Sequence, residues 1–265
     1  MYKFVLCLCV AALLCCLGCR WQLRPASHRT NAVQLNIERY DRLEALFLTT
    51  GDYAALRQMN TAYPFETTTL IEDVLHLGNV CDADINSRLY SFFQDSVLQT
   101  LIADVGDRYA NIDDITVPLE EAFSRLCKKL PGLTVPKVYT QIGSFDQSVI
   151  VCDSLLGISL DKYMGSDYPF YQKHYSDRQR RMMVRSMIVP DCLGFYLLSR
   201  YPVPLSEEIN QTIRRQHMGR IQWVVNHVVD TVVFNNSYVD AAEVVFSSDK
   251  SMTYTDLLLW SDKRI

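Results

Sequence analysis

The chain begins with an unbroken apolar run, Phe4–Leu17, that directly follows Lys3. A helix of this length rises about 21 Å, which is short of the roughly 30 Å hydrocarbon core of a bilayer. A short apolar run with a basic residue before it and a small residue, Gly18, after it is typical of a cleaved export signal. A short membrane anchor that is never cleaved is the alternative. We therefore expect the folded domain to be built from the residues after this segment.

Cys19 is the predicted attachment site of a lipid. Gly18 precedes it, as in the lipidation motif of bacterial lipoproteins, whereas Cys15 and Cys16 follow less suitable residues. Two or three acyl chains such as palmitate anchor a protein stably, because each buried CH2 contributes about 0.8 kcal/mol. We predict a signal peptide over 1–18, a lipidated cysteine and flexible tether over 19–35, and a single domain over 36–265. No acidic cluster follows Cys19, which favours a domain that faces the periplasm.

The composition excludes one class of partner and supplies material for a core. The chain carries 26 Lys and Arg against 30 Asp and Glu, and this mildly acidic balance gives no electrostatic footprint for nucleic acid. Hydrophobic residues make up 49% of the chain, enough for a substantial core. The cysteines beyond residue 19 form no C-x-x-C pair, so neither a zinc knuckle nor a redox motif is predicted. An exported domain could form disulfides, but buried free thiols are favoured here. The cysteines concerned are Cys81, Cys127, Cys152 and Cys192.

Helical periodicity dominates the domain. Ile37, Tyr40 and Phe47 fall on one face of a stretch that Asn36 is suited to cap, which predicts a first helix over 36–47. Start and stop signals predict further helices over 52–61, 67–79, 84–93, 95–109, 113–130, 177–200 and 207–234, with two short helices at the C-terminal end. Pro190 predicts a kink in the 177–200 helix, because an interior proline costs about 3 kcal/mol.

The middle of the domain has a different pattern. Residues 135–143 alternate like a strand, 148–152 form a second such run, and 157–160 form a third. Short connections between these runs predict a small antiparallel sheet. The predicted fold class is therefore α+β, mainly α-helical with a small central antiparallel sheet.

The sequence lacks the motifs of the common hydrolases. A zinc peptidase needs two histidines one helical turn apart with a glutamate between them, and no two of the five histidines are four residues apart. There is no G-x-S-x-G turn and no phosphate-binding loop. Cys152 and Asp153 with a distant histidine resemble a thiol nucleophile only loosely, because their flanks are apolar and strand-like. We predict no catalytic residue, no metal and no cofactor.

One segment is rich in side chains that build polar clefts. The loop from Asp161 to Tyr171 is dense in tyrosine, aspartate and glycine and follows a predicted strand. The candidate interaction or ligand residues in it are Asp161, Tyr163, Gly165, Asp167, Tyr168 and Tyr171. Asp191, beside Pro190, is a further candidate. The alternatives are that the tyrosines only cover the core and that Asp191 pairs with a nearby arginine.

Several short segments, taken in order, resemble a known family. They are Ile37–Asp41, Leu130–Pro131, Pro136–Thr140, Ile158–Tyr168 with Tyr171, Ile188–Asp191, Met218–Arg220, Tyr254–Thr255 and Trp260. Together they resemble the gliding-motility lipoprotein GldB and its homologues, and the central block is the most specific part. The resemblance implies an envelope lipoprotein linked to gliding and to the associated protein-secretion apparatus. It implies no established enzymatic activity.

The resemblance also bears on the fold. Members of the family look distantly similar to zincin-like peptidases, in which a His-Glu-x-x-His helix carries the metal. Here the corresponding segment, Ile188–Leu193, has no histidine, so the resemblance implies such a fold without its metal site.

Three functions remain open on these grounds. The first is a non-enzymatic lipoprotein that is held at the membrane by its lipid and acts through contacts with envelope proteins. The second is a periplasmic hydrolase of peptides or cell-wall material, with a site around Asp161, Asp167, Asp191 and His174. The third is a lipoprotein that binds a small ligand in a tyrosine-rich cleft.

Overall fold

A computed structural model describes residues 33–203 and 211–260 of the chain. The predicted signal peptide, Cys19 and most of the predicted tether lie outside the described residues. The last tether residue, Leu35, is buried, and its N–H donates to Glu120 Oε2 at 3.3 Å. The packed unit therefore includes this residue.

Helices fill the first part of the described chain. A two-residue strand, β1 (Ile37–Glu38), comes first, and the helices that follow are α1 (Tyr40–Thr50), α2 (Tyr53–Ala62), α3 (Pro64–Thr68) continued by a π-helix (Thr69–Val74), α4 (Ile85–Phe92), α5 (Ser96–Arg108) and α6 (Asp113–Lys129). Asp52 caps α2 by accepting the Ala54 N–H at 2.7 Å, and Asp95 caps α5 by accepting the Val97 N–H at 2.8 Å.

The predicted start of the first helix is wrong. Ile37 pairs with Val138 and Glu38 with Tyr139 in a parallel ladder, so this part of the chain is a strand and α1 begins only at Tyr40. Helical spacing of apolar residues could not reveal this, because the partner strand lies about a hundred residues further along the chain.

The sheet has four strands and is mixed. Its later strands are β2 (Lys137–Gln141), β3 (Val149–Cys152) and β4 (Leu155–Ser159), and the order across the sheet is β1-β2-β4-β3. Only β3 and β4 are antiparallel, whereas β1 with β2 and β2 with β4 are parallel. Ser144 and Phe145, both with positive φ, turn the loop after β2 so that β3 forms at the edge. Strand β4 then returns between β3 and β2. The mainly helical α+β class is confirmed, with a mixed rather than an antiparallel sheet.

Helices return after the sheet. The elements are a 3-10 helix (Leu160–Tyr163), α7 (Pro169–His174), α8 (Asp177–Arg180), a second 3-10 helix (Arg185–Met187), α9 (Ile188–Arg200), α10 (Gln211–Val229), α11 (Ser237–Ser248) and α12 (Tyr254–Leu258). The predicted long helix over 177–200 is interrupted between α8 and α9. Pro190 does not kink α9, because it is the third residue of that helix, where the backbone N–H would have no intrahelical partner.

Aromatic and aliphatic side chains from both halves share one core. Tyr40, Phe123, Leu156, Tyr196 and Val224 are all fully buried. All four described cysteines are free. The expected burial holds for Cys192, whereas Cys127 is half-buried and Cys81 and Cys152 are exposed. Cys152 ends the edge strand β3, where the alternation of the strand gives way to a turn.

A buried polar cluster joins α1 to the ends of β2 and β4. Glu44 is fully buried, and its Oε2 accepts the Ile142 N–H at 2.8 Å. Its Oε1 and Gln141 Oε1 are also buried, and neither has a hydrogen-bond partner among the residues that the structure describes. Burial, and then the charges of Asp161 and Asp41, raise the pKa of Glu44 well above its usual range. The surroundings of Glu44 therefore favour its neutral form.

Replacing Glu44 by glutamine is expected to make stability less dependent on pH. A carboxyl with a raised pKa in the folded state stabilises the fold below its unfolded pKa, near 4.5, and this contribution is lost as pH rises through the folded pKa. Glutamine mimics the neutral acid at every pH. Each unit of raised pKa corresponds to about 1.4 kcal/mol. We therefore expect the free energy of unfolding of Glu44→Gln to exceed that of the natural protein by more than about 1 kcal/mol at pH 8, and the two values to be equal near pH 4.

Denaturant unfolding at several pH values measures this difference. Glu121→Gln is the matched control, because Glu121 is 51% exposed and its ion pair with Arg125 spans 3.7 Å. Parallel pH curves for the natural protein and Glu44→Gln would show that Glu44 is ionised in the folded state.

Candidate functional site

Asp161 lies beneath the predicted interaction segment and anchors a loop. The 3-10 helix after β4 turns its carboxylate inward, where Oδ1 accepts the Gly143 N–H at 2.7 Å and Oδ2 accepts the Phe145 N–H at 2.6 Å. Asp161 is fully buried. Burial raises its pKa, although the two N–H groups oppose that shift. Asp161 therefore holds the loop after β2 in place and does not face solvent.

An aromatic cluster covers this anchor. The fully buried Tyr171 donates its hydroxyl hydrogen to the main-chain oxygen of Asp161, and its own oxygen accepts the Met164 N–H at 3.1 Å. Phe145 stacks on Phe170 with ring centroids 3.9 Å apart. Tyr171 thus packs in the core. For this residue the structure agrees with the alternative that the tyrosines of the segment only cover the core.

The first cleft contains Tyr163 and Asp191. It encloses about 350 Å³ and is also lined by Lys162, Arg178, Met182 and Met183, and we call it the Asp191 cleft. Tyr163 donates to Asp191 Oδ2 at 2.8 Å. Burial raises the pKa of Asp191 to about 6, and the hydrogen bond from Tyr163 lowers it in part.

The second cleft contains Gly165, Asp167 and Tyr168. It encloses about 620 Å³ and is also lined by Arg108 and Arg185, and we call it the Gly165 cleft. Tyr168 donates to Asp104 Oδ2 at 2.9 Å, which fixes its ring at the edge of the cleft.

Glycine is required at position 165. Its φ is +103°, and a Cβ atom at this position would lie 2.9 Å from Arg108 Nη2. The arginine on the other side, Arg185, forms a two-point ion pair with Asp114, at 2.7 and 2.6 Å.

The structure therefore divides the predicted surface. Tyr163 and Asp191 share one cleft, Gly165, Asp167 and Tyr168 share another, and Asp161 and Tyr171 are buried. Within the described ranges, no Lys, Arg or His nitrogen forms an ion pair with Asp191, so the alternative of an arginine partner is not realised there. His174 is exposed and lies against Phe170 at 4.3 Å between ring centroids.

Some lining residues were not found from the sequence. Met182 and Met183 stand between α8 and α9 and form a wall of the Asp191 cleft. Two adjacent methionines directly after a basic run, Arg180–Arg181, were a signal for a partly apolar surface. A third depression of about 440 Å³ lies between α1, α2 and α4 and includes the exposed ring of Tyr53, and no sequence pattern indicates it.

The described residues contain neither a metal-binding cluster nor a helix suited to span a membrane. Within 33–203 and 211–260, no group of three or more His, Cys, Asp and Glu side chains could hold a metal ion. In the same part of the chain, no helix combines the length and the apolarity needed to cross a bilayer.

Comparison with known proteins identifies the family. A family model described as gliding motility protein GldB matches residues 22–234. No curated protein and no solved structure shows significant similarity to the chain. The matched range includes the whole sheet, both clefts and the whole of α10. The chain therefore belongs to the GldB family of gliding motility lipoproteins.

Proposed function

We propose that this protein is a lipid-anchored component of the cell envelope that supports the gliding-motility machinery and its associated protein secretion through protein contacts, without catalysis. The observation that carries the proposal is the family match over residues 22–234. The domain faces the periplasm, and the lipid on Cys19 holds it at a membrane surface. Tethering raises the effective concentration of the domain for partners in the same membrane.

The placement of the acidic side chains supports a role without catalysis. Acid–base hydrolysis needs groups that face one substrate within hydrogen-bond reach. Asp161 is buried with both oxygens bound to backbone N–H groups, and Asp167 and Asp191 line different clefts. The hydrolase alternative therefore lacks a shared cavity for its proposed residues.

The two clefts supply the contact surface. Both are lined by parts of the segment from Lys162 to Tyr168, the Asp191 cleft together with α8 and the Gly165 cleft together with the following 3-10 helix. Asp167 is exposed, and Met182 is 42% exposed, so a partner could reach both. This surface combines charged groups with methionine and tyrosine side chains, a mixture suited to protein recognition.

Crosslinking in cells, followed by mass spectrometry, tests the proposal. We expect the natural protein to crosslink to a small, reproducible set of envelope proteins. The variant Cys19→Ala, which has no site for the lipid, should fold normally and lose those crosslinks. An abundant, folded natural protein without specific crosslinks would contradict the proposal.

A further inference from the structure

The carboxylate of Asp191 forms no ion pair with any described residue, although Lys162 and Arg178 line the same cleft. Its one hydrogen bond within the described chain comes from the neutral hydroxyl of Tyr163, at 2.8 Å. Lys162 lines the same cleft, but its Nζ donates to the main-chain oxygen of Phe145 at 2.9 Å and to Tyr175 Oη at 3.2 Å. Carboxylates that are largely removed from water are usually paired with a cation. Asp191 therefore carries a negative charge that no direct ion pair within the described fold neutralises.

The walls that lead to this carboxylate are apolar. Met183 and the ring of Tyr163 are buried, whereas Met182 is 42% exposed at the mouth. Methionine side chains adapt their shape and pack well against methylene groups. A passage with apolar walls and an acid inside suits a ligand that has an aliphatic stem and a terminal cation. Lysine and arginine side chains have this form.

The rim of the cleft suits a polypeptide. Arg178 and Gln179 are exposed on α8 at the mouth, and both side chains carry N–H donors. Main-chain carbonyl oxygens on either side of an inserted residue would accept from such donors. A free monoamine would have no group in that position.

We propose that the Asp191 cleft receives a lysine or arginine side chain from a protein partner, whose terminal cation pairs with Asp191. This inference rests on the proposed function, because it specifies the chemistry of the contact. The volume of about 350 Å³ allows one long side chain to enter.

The interaction should weaken in mild acid. Burial raises the pKa of Asp191 to about 6, so Asp191 loses its charge between pH 7.5 and pH 5 while lysine and arginine keep theirs. About one carboxyl in ten stays ionised one unit below the pKa, so binding should fall about tenfold at pH 5. The titratable and charged groups around Asp191 are Lys162, Tyr163, Tyr175, Arg178 and Cys192.

Saturation-transfer NMR on the purified full chain in detergent tests the inference. The probe is the peptide acetyl-Gly-Lys-Gly-amide, and the control peptide has norleucine in place of lysine. We expect saturable transfer to the lysine methylene protons at pH 7.5, with at least tenfold weaker binding of the norleucine peptide. Absence of saturable binding, or equal binding of both peptides, overturns the inference.

Two variants test whether the cleft is the binding site. Asp191→Asn keeps an oxygen that can accept from Tyr163, so the fold should persist while lysine binding falls at least tenfold. Met182→Lys places a cation of the chain itself at the exposed mouth and should also compete with the peptide. Unchanged binding by both folded variants overturns the assignment to this cleft. If the crosslinks in cells persist but the lysine peptide does not bind, this inference is rejected and the proposed function still stands.

Discussion

Gly219→Ala is expected to lower the free energy of unfolding by about 3 kcal/mol, because it forces α10 away from α11. Gly219 is buried where the two helices meet, and a Cβ atom there would lie 2.5 Å from Tyr238 Cβ and 2.6 Å from its main-chain oxygen. Those atoms belong to the backbone region of α11, so no simple rotation of a side chain relieves the overlap. A hydrogen bond also joins α10 to α11, because Trp223 Nε1 donates to Glu243 Oε2 at 2.7 Å.

Denaturant unfolding measures the loss, and Gly194→Ala is its matched control. Gly194 lies within α9, and a Cβ atom there would meet no other atom within 4 Å. Alanine favours a helix interior over glycine by up to about 1 kcal/mol, so this variant should be slightly more stable than the natural protein. Equal effects of the two substitutions would contradict the close approach of α10 and α11.

Asp161→Ala is expected to lower stability by about 4 kcal/mol and to release the loop after β2. The change leaves the buried N–H groups of Gly143 and Phe145 without their acceptors, and each such loss costs about 1–3 kcal/mol. Ser144 and Phe145 also have φ values of +55° and +65°, which non-glycine residues adopt only when the surrounding contacts hold them. The stack of Phe145 on Phe170 should therefore be lost with the anchor.

Hydrogen exchange over residues 142–147, together with denaturant unfolding, measures this effect. Asp161→Asn is the matched variant, because its single amide oxygen can satisfy only one of the two N–H groups. It should lose about half as much stability and show intermediate exchange. If Asp161→Ala had the same stability and the same protection from hydrogen exchange as the natural protein, the role of Asp161 as the anchor of this loop would be contradicted.

Local signals predicted most of the elements but not the full arrangement of the sheet. Asp52 and Asp95 cap helices as their types suggest, and Asp113–Lys129 matches its predicted bounds closely. The parallel pairing of β1 with β2 was missed, because it joins residues about a hundred positions apart. The loop that leads from β2 to β3 contains positive φ values at Ser144 and Phe145, which their residue types do not favour.

Candidate site residues could be chosen from the sequence, but their arrangement in space could not. Tyrosines, aspartates and a glycine in one loop indicated a polar surface, and five of the seven candidate residues line a cleft. The sequence could not show that Asp161 and Tyr171 turn inward, since this depends on how the 3-10 helix after β4 and α7 pack against the core. Nor could it show that Asp191 pairs with none of the described arginines, although several arginines precede it closely.

The most direct test of the proposed function is site-specific photocrosslinking in cells. A photoreactive residue replaces Met182 at the mouth of the Asp191 cleft, Asp167 in the Gly165 cleft, or the exposed Asp240 on α11 as a control. We expect crosslinks to envelope proteins from positions 182 and 167 but not from 240, and we expect them to be lost when Cys19→Ala is added. Crosslinks that are absent at all positions, or equal from all three and independent of Cys19, would contradict it.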